Sequence, residues 1–252
     1  MPEKTLWRLI ELETRSGPEH MALDEACMEA VASSKAKPTI RFYRWKPSAV
    51  SIGYFQALEQ EVHLEKCRER SVDVIRRRTG GGAVYHDFNG EITYSIVGPE
   101  NLFASAIGES YVQICQGLID GLSLLGLNAQ FAPVNDVTVN GFKISGNAQT
   151  RRNGVLLQHG TVLFDVDADT MFELLQVSKE KARDKFIQSV YKRVTSIRHE
   201  RDVSFEQAYS AIKAGFTHGK DTSPGSWSET ELSRAQELAR EKYTQNEWTR
   251  MR

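Results

Sequence analysis

Eleven residues at 77–87, RRTGGGAVYHD, gather two arginines, three consecutive glycines and a His-Asp pair. Three glycines in a row give up side-chain burial and cost backbone entropy, so neither a packed strand nor a helix favours them. Adjacent amides with no Cβ in the way can form a concave nest for an anion, or let a ligand approach the main chain. Arg76, Arg77 and Arg78 precede the glycines and offer a bidentate fork to phosphate or carboxylate. The known phosphate loops do not fit: GxxxxGK[ST] is absent, and Tyr85 stands where GxGxxG needs its third glycine. The glycines alone suit a tight turn as well as a binding loop; the arginines and the strand that follows favour binding. His86-Asp87 reads as a turn-stabilising pair at a strand end, with a catalytic role as the alternative.

A second chemically suggestive group is Lys143, inside VTVNGFKISG at 137–146. Asn140-Gly141 is a strong signal for a two-residue hairpin turn, because both turn positions need positive φ. That turn would pair Val139 with Phe142, Thr138 with Lys143 and Asp136 with Ser145, so Asp136, Thr138, Lys143 and Ser145 should share one face. Val137, Val139, Phe142 and Ile144 should then point into the core, unless a β-bulge shifts the register. The polar face carries a carboxylate and an ammonium, which is either a solvated ion pair or a charged site, with Gly141 and Gly146 leaving room nearby.

These groups need a scaffold. Asn153-Gly154 marks a second turn and so a three-stranded antiparallel meander, with His159 on the side of Val155 and Leu157, read as a hydrogen-bonded core histidine. Strand-like alternation covers 7–13, 40–45, 49–53 and 92–97, and helical stripes cover 21–33 and 109–125. DADTMFELLQV from Asp167 is a further helix, and capping boxes Ser204 with Gln207 and Ser228 with Glu231 open two more. HGKDTSPGSW at 218–227 reads as a linker. The expectation is an α+β domain with a mixed, largely antiparallel sheet over 1–217, then a linker and helical tail over 218–252.

The 252 residues are 40% hydrophobic and 26% charged, with net charge −1, so nothing global favours nucleic acid or an anionic membrane. No signal peptide or membrane span is read from the sequence, and the chain is expected in the cytoplasm. Cys27, Cys67 and Cys115 lack metal-ligand spacing; Cys27 and Cys115 fall in apolar helical stripes and read as core thiols.

RRRTGGGAVYHD, NDVTVNGFKISGNAQ and LLQHGTVLF, in that order, together resemble the lipoate–protein ligase A family of the biotin and lipoate protein ligase fold. The resemblance implies activation of lipoate by ATP with Mg²⁺ to lipoyl-adenylate. The acyl group then passes to a lysine of a lipoyl carrier domain, on a 2-oxoacid dehydrogenase E2 or a glycine-cleavage H protein. Carried over by position, Lys143 is the catalytic lysine, holding carboxylate and α-phosphate together. Arg77 would meet nucleotide, Gly80 and Gly81 would let the intermediate lie close, and Gly82, Ala83, Val84 and Tyr85 would border ATP. Asn135 and Asp136 match the family's Asn-Asp pair, with Asp136 a partner for Mg²⁺ or Lys143, and His159 would border the pocket. The chain stops where two-domain members continue into an accessory domain, so it resembles the large subunit of a bipartite ligase completed by a small separate protein.

An octanoyl or lipoyl transferase of the same fold, working through a cysteine and without ATP, is the alternative; the stretch before the lysine, APVNDVTVNG, has no cysteine. Biotin ligases carry a GRGRxGR-like loop instead. A non-catalytic binding protein on this fold could lose the lysine that is present here. The sequence does not decide between lipoate and octanoate.

Overall fold

The alternating apolar strands assemble, in a computed structural model that describes residues 5–165, 167–176 and 193–252, into two sheets with helices against them. In chain order the first half contains β1 (Leu6–Arg15), α1 (Gly17–Ala32), β2 (Thr39–Trp45), β3 (Ala49–Ile52), α2 (Leu58–Glu61), α3 (Leu64–Glu69), β4 (Asp73–Arg76), β5 (Val84–His86), β6 (Glu91–Pro99) and α4 (Ile107–Leu124). Then come β7 (Ala129–Ala132), β8 (Asp136–Val139), β9 (Phe142–Arg152), β10 (Val155–Leu163), α5 (Ala168–Leu174), α6 (Ile197–Glu200), α7 (Phe205–Thr217), β11 (Asp221–Pro224), α8 (Glu229–Leu238) and α9 (Asn246–Thr249).

Eight strands form the large sheet in the order β11-β1-β2-β6-β10-β9-β8-β7, with β1 parallel to β2 and β11 and the other pairs antiparallel. A small sheet, β4-β3-β5, stands apart. Alternation gives the central strands of the large sheet two buried faces. Phe42, Ile96, Leu156 and Val162 pack with Leu118 of α4 and Ile212 of α7, while Tyr43, Trp45, Val155 and Leu157 pack with Leu23 of α1 and Leu238 of α8. Among the described residues no helix is long and apolar enough to cross a membrane.

Both Asn-Gly turns form as their chemistry requires: Asn140 and Gly141 have φ of 52° and 81°, and Asn153 and Gly154 have 52° and 73°. The β8-β9-β10 meander, the helices α1 and α4 and both capping boxes match the sequence-based expectation. The helix expected from Asp167 runs over Ala168–Leu174, capped by the Asp167 carboxylate, and its last expected residue, 177, lies outside the described residues.

Two expectations are corrected. Residues 218–227 are not a free linker: Asp221–Pro224 adds a parallel strand to β1, and Gly225 N–H donates to Leu9 C=O at 2.9 Å. The edge of β1 has unpaired backbone groups that a short Pro-bearing segment can cover. The partly buried Arg8–Glu231 ion pair at 2.6 Å then fixes α8 to the same edge. The β8-β9 register also shifts, because a bulge at Ile144 sets Ser145 opposite Val137 and Gly146 opposite Asp136. Ser145 is therefore buried on the core side instead of lying beside Lys143, and Phe142, expected in the core, is 38% exposed at the hairpin tip.

Candidate active site

A cavity of about 150 Å³ lies on the α1 side of the large sheet, closed over by the small sheet and the glycine stretch. Tyr43 and Trp45 of β2 line one part of it, and Lys143 and Gly146 of β9 another. With β2, β6, β10 and β9 adjacent in that order, these parts are three strand spacings apart, about 14 Å at 4.7–4.9 Å each. Met21, Val84 and the two aromatics make one region apolar; Lys143, Asn135, Asn147 and His159 make the other polar.

The glycine stretch is held from beneath. Arg77 is 5% exposed, and its guanidinium donates to Ser51 C=O and Oγ at 3.0 and 3.1 Å and to Gly80 and Gly82 C=O at 2.8 and 2.7 Å. Burial pushes its pKa down to about 10. Gly81 adopts φ +94°, which a side chain would resist, and a Cβ on Gly53 would meet Gly81 O at 2.0 Å, so strand end and loop touch backbone to backbone. No acceptor among the described residues meets the amides of Gly80, Gly81, Gly82 and Ala83, and space beyond Gly82 is open. Free amides on a bare loop are the elements of an anion nest.

The other two arginines do different work. Arg76 is fully buried and donates to five carbonyls, those of Gly53, Tyr54, Gln56, Trp248 and Thr249. Arg78 pairs with Glu25 of α1, which also accepts from Lys242 at 2.6 Å and from Tyr243. Neither guanidinium lines the cavity.

Lys143 does, and its Nζ lies 2.8 Å from Asp136 Oδ1, with both side chains partly exposed. Asn135 closes back on β9, donating from Nδ2 to Asn147 C=O and accepting from Asn147 Nδ2 at 2.9 Å. His159 is 7% exposed; Nδ1 lies 3.1 Å from Asp24 Oδ2 and Nε2 lies 2.7 Å from Thr79 Oγ1. Burial lowers its pKa, with Asp24 opposing, so the ring is neutral at pH 7.

The structure thus brings Arg77, Gly81, Gly82, Ala83, Val84, Asn135, Lys143 and His159 together on the cavity wall. Three expected residues are not on it. Alternation along β5 puts Val84 and His86 on the wall and turns Tyr85 into the small-sheet cluster. Gly80 lies toward Phe55, and Asp136 meets Lys143 beside Gly146 without lining the cavity. His86 stacks on Trp45 at 4.0 Å and bridges Glu91 and Ser51 at 2.9 and 2.8 Å, whereas Asp87, expected as its partner, accepts instead from Asn89 N–H at 2.9 Å. Tyr43, Trp45 and Met21 went unnoticed as site residues because only pairing β2 and α1 with distant strands brings them there.

Among the described residues no three His, Cys, Asp or Glu side chains converge as a metal site. Mg²⁺ bound with a nucleotide needs only one or two protein carboxylates, the phosphates supplying the rest. Asp136, a partly exposed carboxylate beside Lys143, fits that smaller role.

Residues 16–217 match the lipoyl protein ligase A/B catalytic domain family, and the chain belongs to that family. The octanoyltransferase LipM of Brevibacillus brevis is 35% identical over 96% of this chain and 98% of its own. The LipM of Symbiobacterium thermophilum is also 35% identical, over 97% of this chain and 98% of its own. Among solved structures, the bipartite lipoate protein ligase of Thermoplasma acidophilum, studied with its E2 lipoyl domain, superposes with a TM-score of 0.88 at 32% identity, covering 98% of this chain and 97% of that one. A lipoate-protein ligase A bound with ATP gives 0.84 at 30% identity, covering 98% and 99%. The expected mixed sheet with flanking helices is the fold of these ligases.

Proposed function

We propose that this chain activates lipoate with ATP to lipoyl-adenylate and passes the lipoyl group to a lysine of a lipoyl carrier domain. The observation that carries this reading is the pairing, on one cavity wall, of the Lys143 ammonium and the bare Gly81-Gly82 loop, with no thiol among the lining residues. The apolar region at Met21, Tyr43 and Trp45 suits an acyl tail, which directs the carboxylate toward Lys143. A volume of about 150 Å³ is below the ~300–1,000 Å³ of pockets that enclose drug-sized ligands, so the nucleotide would lie outward along the loop.

Joining a carboxylate to a phosphate brings two anions together, and a cation between them lowers the barrier. Lys143, held by Asp136 at 2.8 Å, would supply that cation. As carboxylate oxygen attacks the α-phosphorus and pyrophosphate leaves, its ammonium follows the charge on the carbonyl and phosphoryl oxygens. The same ammonium can stabilise the carbonyl oxygen when the carrier lysine attacks and AMP departs. The loop amides would hold phosphate oxygens, and Arg77 keeps those amides in place from below. Mg²⁺, held by Asp136 with the phosphates, would neutralise triphosphate charge. The likeness to the bipartite T. acidophilum ligase supports a lipoyl-domain partner, and a small accessory subunit is part of the same proposal.

A second reading has its own support: the LipM relatives are octanoyltransferases. Acyl transfer without ATP needs a nucleophile to carry the acyl group. Cys27, Cys67 and Cys115 are all buried, and burial pushes their pKa values up to about 11, 11 and 12. The deciding experiment is mass spectrometry of a purified lipoyl domain incubated with the chain, lipoate and ATP, with and without a candidate small subunit. A lipoyl mass gain that requires ATP is expected; gain from octanoyl carrier protein without ATP would replace this reading with the second.

A further inference from the structure

Asp24 sits on α1, belongs to none of the sequence motifs and does not line the cavity, yet it is 2% exposed and fully engaged. Its Oδ1 accepts from Arg41 Nη1 at 3.1 Å and Ser95 Oγ at 2.8 Å, and its Oδ2 faces His159 Nδ1 at 3.1 Å. A carboxylate accepts only, so His159 must carry its proton on Nδ1, leaving the Nε2 lone pair toward Thr79. Thr79 Oγ1, 2.7 Å away and 0% exposed, therefore donates to His159. Both ring nitrogens are engaged by protein, so His159 has none left for substrate.

Thr79 is the residue from which the glycine loop springs. Its carbonyl accepts from Tyr54 N–H at 2.9 Å, and the next residues are those that Arg77 grips. The loop is thus pinned from two sides: Arg77 holds its carbonyls, and the hydroxyl at its root is held by His159 of β10. We infer that Asp24 is a positioning residue for the glycine loop, acting through the His159 tautomer on Thr79. The inference stands on this geometry and does not require that the loop bind ATP; only its kinetic consequence rests on the ligase reading.

The test uses the full-length chain with Asp24→Asn, Thr79→Val, Thr79→Ser and the Asp24→Asn/Thr79→Val double variant. The reporter of loop position is hydrogen exchange at the Tyr54 amide. Loss of one net hydrogen bond should speed it by roughly tenfold in Thr79→Val; Asp24→Asn, which reverses the His159–Thr79 bond, should speed it in the same direction by less, while Thr79→Ser stays near the parent. Because both changes break one chain of contacts, the double variant should be no faster than the faster single one. In the ligation assay the same variants should raise KM for ATP more than they lower kcat, and Thr79→Ser should restore KM. Exchange in Thr79→Val equal to the parent, or effects that multiply in the double variant, would overturn the inference. Should Asp24→Asn fail to fold, the Thr79→Val and Thr79→Ser pair still decides. A parent chain that shows no ATP-dependent mass gain would sink the ligase reading while leaving the exchange result to stand on its own.

Discussion

Lys143 reaches Asp136 by lying over Gly146. The two charged residues are not register partners; Asp136 is opposite Gly146, and the bulge at Ile144 creates that offset. A Cβ on residue 146 would stand 2.8 Å from Lys143 Nζ and 2.9 Å from its Cε, so the bare position is the floor on which the ammonium rests. Lys143→Ala should leave the thermal midpoint almost unchanged, since the side chain is 42% exposed, while adenylate formation falls by about 10²–10³-fold. Gly146→Ala should also depress activity, because the ammonium must move. Pyrophosphate release alongside a melting curve checks both, and a fully active Lys143→Ala would remove the mechanism.

Two neighbouring glycines should behave oppositely. At Gly81 the positive φ and the approach of Arg77 Nη2 to 2.9 Å penalise any side chain. Gly81→Ala should cost about 1–2 kcal/mol and shift the melting temperature. A Cβ on Gly82 meets nothing within 4 Å. Gly82→Ala should therefore melt like the parent yet bind substrate less tightly, as a titration calorimeter would show.

Replacing each cysteine by serine should keep turnover within about threefold of the parent, with some stability lost to the buried hydroxyl. Under a cysteine-transfer mechanism one of the three would lose activity almost completely. Initial rates of carrier acylation separate the outcomes.

Acid should destabilise the fold before carboxylates titrate. Burial, aided by Arg41, holds His20 well below its ordinary pKa of 6.5, and burial lowers His159 as well. Each binds a proton in the unfolded chain as pH falls through 6.5 but resists it when folded, so stability is full above that pH and declines below it. The slope is at most ~1.4 kcal/mol per pH unit for each histidine. Denaturation midpoints at pH 7.5 and 5.5, repeated with His20→Asn, should show a shallower decline in the variant.

What the sequence disclosed was local chemistry. Asn140-Gly141 and Asn153-Gly154 dictate their turns whatever surrounds them, and so locate Lys143 on a hairpin arm. The bulge was illegible because Ile144 is an ordinary strand residue whose extra place in the ladder depends on its partner. Asp24 and Glu25 belong to no motif in the sequence, and only packing α1 on the sheet shows both to be buried. The run of three arginines looked like one phosphate-binding cluster, whereas strand alternation and tertiary contacts send Arg76, Arg77 and Arg78 to three different partners. Tyr85 turns away from the cavity for a related reason, its face being set by where β5 docks on β3.

Arg76 has a practical implication for anyone handling the protein. Two of the five oxygens that satisfy this sunken guanidinium belong to Trp248 and Thr249, and the Trp248 indole returns a hydrogen bond to Arg76 C=O at 2.9 Å. Trimming the chain past those residues, or fusing a short stiff tag close behind them, would strip solvation from a cation at the root of the GGG turn. A loss of activity in such a preparation would then report an engineering accident more than 170 residues away in sequence, and affinity handles are better placed at the other terminus.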